Sequence, residues 1–190
     1  DQAYELGYDP TDPDDNYESY LEDYVFYNDN LTDQNFMFLH GALHIFDHET
    51  DAIKLTFSRT NKTLKKQIFE NLVRENYPIF ISEGTHNEKL EKIRHNYYLT
   101  RSYKSFKNQP GNLIIFGTAL KSNDQHIADA IVLGKFNNIY AGVFSKDDEK
   151  MFLQLTERIE EKNKTLPRGS HKRLTLYDAK SVNPWGRPAK

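Results

Sequence analysis

The stretch GNLIIFGTALKSNDQHIADAIVLG, residues 111–134, carries the pattern that decides the fold. Its first part, LIIFG at 113–117, is a continuous apolar run that ends in glycine, which predicts a buried strand. Polar residues follow, and Asn123 or Asp124 is placed to cap a helix whose apolar residues repeat at helical spacing until Gly134. A strand, a glycine turn and a capped helix in succession are typical of α/β proteins.

The same alternation continues on both sides of this stretch. Apolar runs predict further strands at residues 35–39, 54–57, 78–82, 138–144 and 174–179. Helical spacing predicts helices at residues 63–76, one or two at 88–106, and a last one that begins at the capping sequence SKDDE, 145–149. Strands that alternate with helices predict a layered α/β fold with a mostly parallel sheet, flanking helices and ligands at the carboxyl ends of the strands.

Composition excludes several classes of protein. The 190 residues suffice for one domain, and a net charge of −3 provides no positive field to attract nucleic acid or an anionic membrane. The chain has no cysteine, which excludes disulfides, thiol nucleophiles and cysteine-bound zinc. No apolar run is long enough to span a bilayer, and we expect a cytoplasmic protein without nucleic-acid or membrane partners.

Residues 1–34 form an acidic, tyrosine-rich lead-in that begins with Asp rather than Met. Such a start is typical of the middle of a longer protein. We therefore expect residues 35–190 to be the C-terminal portion of an incomplete α/β domain.

Two histidines and a glycine interrupt the apolar run FLHGALHIF at 38–46. His40 would follow the strand at 35–39, where it could act as a general base, or it could be a buried histidine bonded to a main-chain carbonyl. The spacing of His44 and His48 makes a metal site conceivable on a helix, but the strand context disfavours it and we predict no metal ligand.

Gly117 and Thr118 mark a second candidate site, because the turn after a strand and the start of a helix are where α/β sheets bind phosphates. A complete GxGxxG motif is absent, and glycine also serves purely steric roles in such turns. Asn123 and Asp124 are interpreted equally well as helix caps and as ligand-binding residues.

Taken together, FLHGALH, GNLIIFGTALKSNDQHIADAI and IYAGVFSKDDE resemble motifs of bacterial sirtuin-like domains over about residues 35–150. The resemblance implies a Rossmann-like fold that takes NAD as substrate or ligand. It implies that His40 is the base acting on the ribose hydroxyls, with Gly41 as its motif partner. It also implies nucleotide contacts by Gly117, Thr118, Leu120 and, in the adenine-side loop, Ser145. Asn123 and Asp124 are added to these candidate contacts from their position at the start of the helix. Ala119 stands where sirtuins carry a serine.

Sirtuins bind zinc through cysteines that this chain lacks, so the resemblance does not imply protein deacylation, and no zinc is expected. The glycine-rich pyrophosphate turn of sirtuins is also not found in residues 1–34. The resemblance favours hydrolysis of NAD or an NAD-like nucleotide, in bacteria a means of anti-phage defence. The alternatives are a non-catalytic nucleotide-binding or interaction module and a scaffold used for assembly; a homo-oligomer is left open.

Overall fold

The computed structural model describes residues 24–26, 36–48, 51–118 and 120–182. The strands are β1 Tyr24–Phe26, β2 Gly41–His48, β3 Asp51–Leu55, β4 Pro78–Phe80, β5 Gly111–Ile115, β6 Phe136–Val143 and β7 Arg173–Asp178. The helices are α1 Phe57–Thr60, α2 Leu64–Val73, α3 His86–His95, α4 Tyr97–Asn108, α5 Gln125–Leu133 and α6 Lys146–Asn163. Short 3-10 turns lie at Ser122–Asp124, Arg168–Ser170 and Ala179–Ser181. None of the described helices combines the length and the apolar character needed to cross a membrane.

The first of two compact units comprises the described residues up to Glu83 together with Lys92–Ser102. Its strands pair in the order β1-β3-β2-β4, and every pairing is antiparallel. Helix α2 contacts β2 and β3, where Ile68 packs against the fully buried side chains Phe46 and Ile53. An antiparallel sheet with one covering helix forms this core.

The second compact unit comprises Gly84–Glu91 and the described residues from Tyr103 onward. Its strands pair in parallel in the order β5-β6-β7, and α5 and α6 make the two crossover connections. Ile139 and Ala141 of the central strand and Phe152 of α6 are fully buried. This unit has the α/β arrangement of a parallel sheet with flanking helices that the alternation predicted.

The prediction of a mostly parallel sheet that includes the histidine-glycine stretch was wrong. The predicted strand at 35–39 is not formed at residues 36–39, and β2 instead begins at Gly41, within an antiparallel sheet. The reason is a tight turn, in which the N–H of Gly41 donates to the carbonyl of Phe38 at 3.0 Å and the glycine has a φ of +71°. Glycine therefore begins the strand here rather than ending one.

Most other predicted elements are confirmed within one to three residues. The region 88–106 forms two helices, α3 and α4, rather than one. The predicted strands at 54–57, 78–82, 138–144 and 174–179 correspond to β3, β4, β6 and β7. The domain boundary predicted between residues 34 and 35 lies outside the described residues and stays a prediction.

Candidate functional site

Gly117 forms the turn that follows β5 in the second unit. Its φ is +75°, and a Cβ added there would meet no atom within 4 Å. Glycine is therefore needed for the backbone conformation, and open space lies beside the turn. Thr118 is exposed. Both residues thus lie at the carboxyl end of a parallel strand, as predicted, where α/β folds place their ligands.

Leu120, for which the resemblance implies a contact with the nucleotide, has a side chain that is only 7% exposed. Its N–H lies 3.4 Å from the hydroxyl of Thr118, and its φ is +50°. Its burial makes the Leu120 side chain a part of the core, so a ligand would meet the backbone of this residue first. Residue 119, where alanine replaces the serine of sirtuins, lies outside the described residues.

A partly buried ion pair lies at the start of α5. Nζ of Lys89 donates to Oδ1 of Asp124 at 2.8 Å. The Lys89 side chain is 5% exposed and that of Asp124 is 25% exposed. Lys89 comes from α3, 35 residues earlier in the chain. The lysine therefore compensates the negative charge that Asp124 places at the beginning of the helix.

No side chain of the described residues caps the first turn of α5. Asp124 occupies the N-cap position, but its carboxylate makes no capping hydrogen bond, and Asn123 is exposed. The interpretation of Asn123 or Asp124 as a side-chain cap is therefore wrong. The N–H groups of Asp124 and Gln125 donate to the carbonyls of Lys121 and Ser122 in the preceding 3-10 turn. Beyond these, the first turn of an α-helix without a side-chain cap offers N–H groups and a partial positive charge to an anion.

Ser145 lies two residues after the end of β6 and caps α6. Its hydroxyl accepts from the N–H of Asp148 at 3.2 Å, while the Asp148 carboxylate accepts from the N–H groups of Phe144 and Ser145 at 3.1 Å each. This is the capping box that SKDDE predicted. The hydroxyl already has a structural partner, and its contact with an adenine stays a prediction.

Two aromatic side chains flank the same edge of the parallel sheet. Phe116 follows β5 and Phe144 follows β6, and their ring centroids lie 5.5 Å apart in an edge-to-face arrangement. Both side chains are more than 40% exposed. Exposed aromatic faces at the mouth of a ligand site are suited to stacking on a planar group.

His40 and Gly41 belong to the first unit. The carbonyl of His40 accepts from the N–H of Ile81 at 2.8 Å, and its side chain is half-buried. A Cβ at Gly41 would lie 1.9 Å from the carbonyl oxygen of Ile79 in β4. The close approach of β4 is a sufficient reason for glycine at this position. The catalytic role of His40 and the motif role of Gly41 stay predictions.

His44 and His48 both lie on β2. Four residues of a strand span roughly 13 Å, so these side chains do not have the spacing of two ligands on one helix turn. Burial, and then the charge of Lys54, lower the pKa of His44. Its ring makes an edge contact with Phe38, with centroids 5.2 Å apart. His44 is therefore favoured in its neutral form.

The structure groups most of the predicted nucleotide contacts along one edge. In the second unit, these residues lie after β5, after β6 or in the 3-10 turn that precedes α5: Gly117, Thr118, Asn123, Asp124 and Ser145. Sequence reasoning missed Lys89. A signal did exist, since Lys89 lies four residues before the buried Ile93, on the same face of α3.

Comparison with known proteins identifies a family but no function. Neither the curated proteins nor the solved structures contain a match to this chain. Residues 7–185 match the family described as "Domain of unknown function (DUF4917)". Because the match spans nearly the whole sequence, the chain belongs to the DUF4917 family.

Proposed function

We propose that this protein binds NAD or an NAD-like nucleotide at the carboxyl edge of its parallel sheet and hydrolyses it. One observation carries the proposal: the open turn at Gly117 is followed, after a 3-10 turn at Ser122–Asp124, by an α-helix that begins without a side-chain cap. Strand ends of this kind bind phosphates and riboses in α/β sheets. The motif resemblance supplies the choice of NAD.

The charges at this edge are compatible with a dinucleotide. The N–H of Gln125 already donates to the carbonyl of Ser122, so the N–H groups that follow it in the first turn of α5 would donate to the pyrophosphate oxygens. The carboxylate of Asp124 alone would repel them, but the ammonium of Lys89, 2.8 Å away, offsets that charge. Phe116 and Phe144 would offer a stacking surface for a base.

The reaction is a displacement at the ribose carbon that carries nicotinamide. The bond from this carbon to the nicotinamide nitrogen breaks through an oxocarbenium-like state, and a water oxygen bonds to the same carbon. Nicotinamide leaves as a neutral molecule, and the proton of the water passes to the base and then to solvent. By resemblance, His40 is the base that acts on the ribose hydroxyls, and we propose the same imidazole as the base for the water. In bacteria, the resulting loss of NAD would serve anti-phage defence.

Incubation of the protein with NAD, followed by chromatography of free nicotinamide and ADP-ribose, tests this function. We expect His40→Ala to lower the turnover rate at least a hundredfold while NAD still raises the melting temperature. His171→Ala, at an exposed histidine, is the matched control and should keep the wild-type rate. Absence of both nicotinamide release and a thermal shift with NAD would refute the proposal.

A non-catalytic nucleotide-binding module is the second candidate. Two observations favour it: Ala119 lacks the hydroxyl found in sirtuins, and His40 precedes the amino end of β2 rather than following a strand. A sensor of this kind would show a thermal shift with NAD or ADP-ribose without any nicotinamide release. A pure scaffold would show neither.

A further inference from the structure

An apolar groove runs along α2 in the first unit. Its volume is about 670 Å³, within the range of about 300–1,000 Å³ that is typical of small-molecule sites. Its apolar lining consists of Ile68, Phe69 and Leu72 of α2 and Leu43 of β2. Phe69 is 65% exposed and Leu43 is 50% exposed. Large apolar side chains left open to water along one groove are typical of a surface that receives an apolar ligand.

The polar lining of the groove lies at one end of α2. Thr63 is the N-cap of this helix, and Lys65 and Lys66 belong to its first turn. The apolar lining residues of α2, from Ile68 to Leu72, come from the turns that follow. The groove therefore changes from cationic to apolar along the helix.

The cationic end has no acidic counterpart within the groove. No acidic side chain is among the described lining residues, and the first turn of α2 contains none. Glu70 lies 3.9 Å from Lys66 and 3.4 Å from Lys62 but does not line the groove, and Lys65 has no carboxylate partner among the described residues. The first turn of a helix already carries a partial positive charge, so lysines there are unfavourable unless an anion compensates them.

We infer that the groove binds a fatty carboxylate, an amphiphile with one acyl chain and an anionic head. The ammonium groups of Lys65 and Lys66 and the positive end of α2 attract the carboxylate, and the acyl chain lies along Phe69, Leu72 and Leu43. From Thr63 to Leu72 the helix rises roughly 13 Å, the length of an extended chain of about ten to twelve carbons. This site belongs to the first unit and is additional to the proposed nucleotide site.

Calorimetric titration of the full chain with octanoate, decanoate and dodecanoate, below their micellar concentrations, tests this site. A fully buried methylene tightens binding about fourfold, so each pair of added carbons should tighten binding at least fivefold in a groove that is open on one side. We expect one ligand per chain. Decan-1-ol, which has the chain of decanoate without its charge, should bind at least threefold more weakly than decanoate. Absence of decanoate and dodecanoate binding would overturn the inference, and so would decan-1-ol binding as tightly as decanoate.

Two matched pairs of variants locate the ligand in the groove. Phe69→Asp should weaken dodecanoate binding at least tenfold, whereas Val73→Asp should leave it within twofold of wild type. Val73 lies on the same helix and is 66% exposed, against 65% for Phe69, but it does not line the groove, so both variants should fold. Equal dissociation constants for these two variants would contradict a site at Phe69.

Charge removal tests the cationic end. Lys65→Gln with Lys66→Gln should weaken decanoate binding at least threefold and reduce its dependence on salt. Lys62→Gln with Arg94→Gln removes the same charge from exposed positions of the first unit that do not line the groove, and it should change binding less than twofold. Equal effects of the two double variants would overturn the inference. Sedimentation of the protein with phosphatidylglycerol vesicles, without binding of free decanoate, would also overturn it, because the ligand would then be a membrane surface.

Discussion

A methyl group added at Gly41 would lie 1.9 Å from the carbonyl oxygen of Ile79, and the backbone there has a φ of +71°. We predict that Gly41→Ala lowers the free energy of unfolding by about 3 kcal/mol, from backbone strain and overpacking together. Gly111→Ala, with a φ of +93° and no atom within 4 Å of the added Cβ, should cost only the strain, about 1 kcal/mol. Urea denaturation measures both. Equal losses would show that β4 accommodates the methyl group.

The ion pair between Lys89 and Asp124 is predicted to contribute to the stability of the fold. Lys89→Met should lower the free energy of unfolding by about 1–3 kcal/mol, less than for a fully buried pair because water reaches Asp124. Lys66→Met, which removes an exposed pair with Glu70, should cost at most about 0.5 kcal/mol. Chemical denaturation of the two variants provides the comparison, and similar costs would contradict the burial argument.

At the scale of elements, Lys172 joins the end of α5 to the start of β6. Its Nζ donates to the carbonyls of Gly134 at 2.6 Å and Phe136 at 2.8 Å. Burial, and then the charge of Lys162, lower the pKa of Lys172 from its ordinary value of 10.5. Between the lowered value and 10.5 the unfolded chain binds more protons than the folded chain, so this group makes stability rise with pH in that window.

Lys172→Met should therefore remove this rise, and it should lower stability at neutral pH by about 1–3 kcal/mol because one buried and one partly buried carbonyl lose their donor. Lys135→Met, at an exposed position in the same region, should keep the wild-type pH dependence. Denaturant titrations of the three proteins from neutral pH to pH 10.5 measure the difference. If the stability of Lys172→Met still rises with pH, groups other than Lys172 cause that rise.

Elements defined by local signals could be predicted from the sequence. The capping box at Ser145 located α6, and the apolar stripe of α2 located that helix. β2 could not be located in this way, because its start depends on a turn at Gly41 and on the approach of β4 from more than 30 residues away. A glycine beside an apolar run is compatible with either end of a strand.

For the whole molecule, the α/β class followed from the alternation of elements, but the division into a parallel and an antiparallel sheet did not. Pairing in the first unit joins β1 to β3 and β2 to β4, and neither pair is adjacent in the chain. Periodicity describes which side of a strand is buried and not which strand lies beside it. For the same reason the contact of Lys89 with Asp124, 35 residues apart, could not be predicted from the sequence. Gly117 and Thr118 could be predicted because they directly follow the apolar run of a strand.

In the parallel sheet, the order of the strands in space equals their order in the chain. A nascent polypeptide leaves the ribosome from its amino end, so β5 emerges first and each later strand meets a neighbour that has already been synthesised. The sheet can therefore grow vectorially, with every addition closing a loop of one helix and its flanking turns. β4 has no such advantage, since β2 must keep its edge open until four further elements, β3, α1, α2 and β4 itself, have been translated.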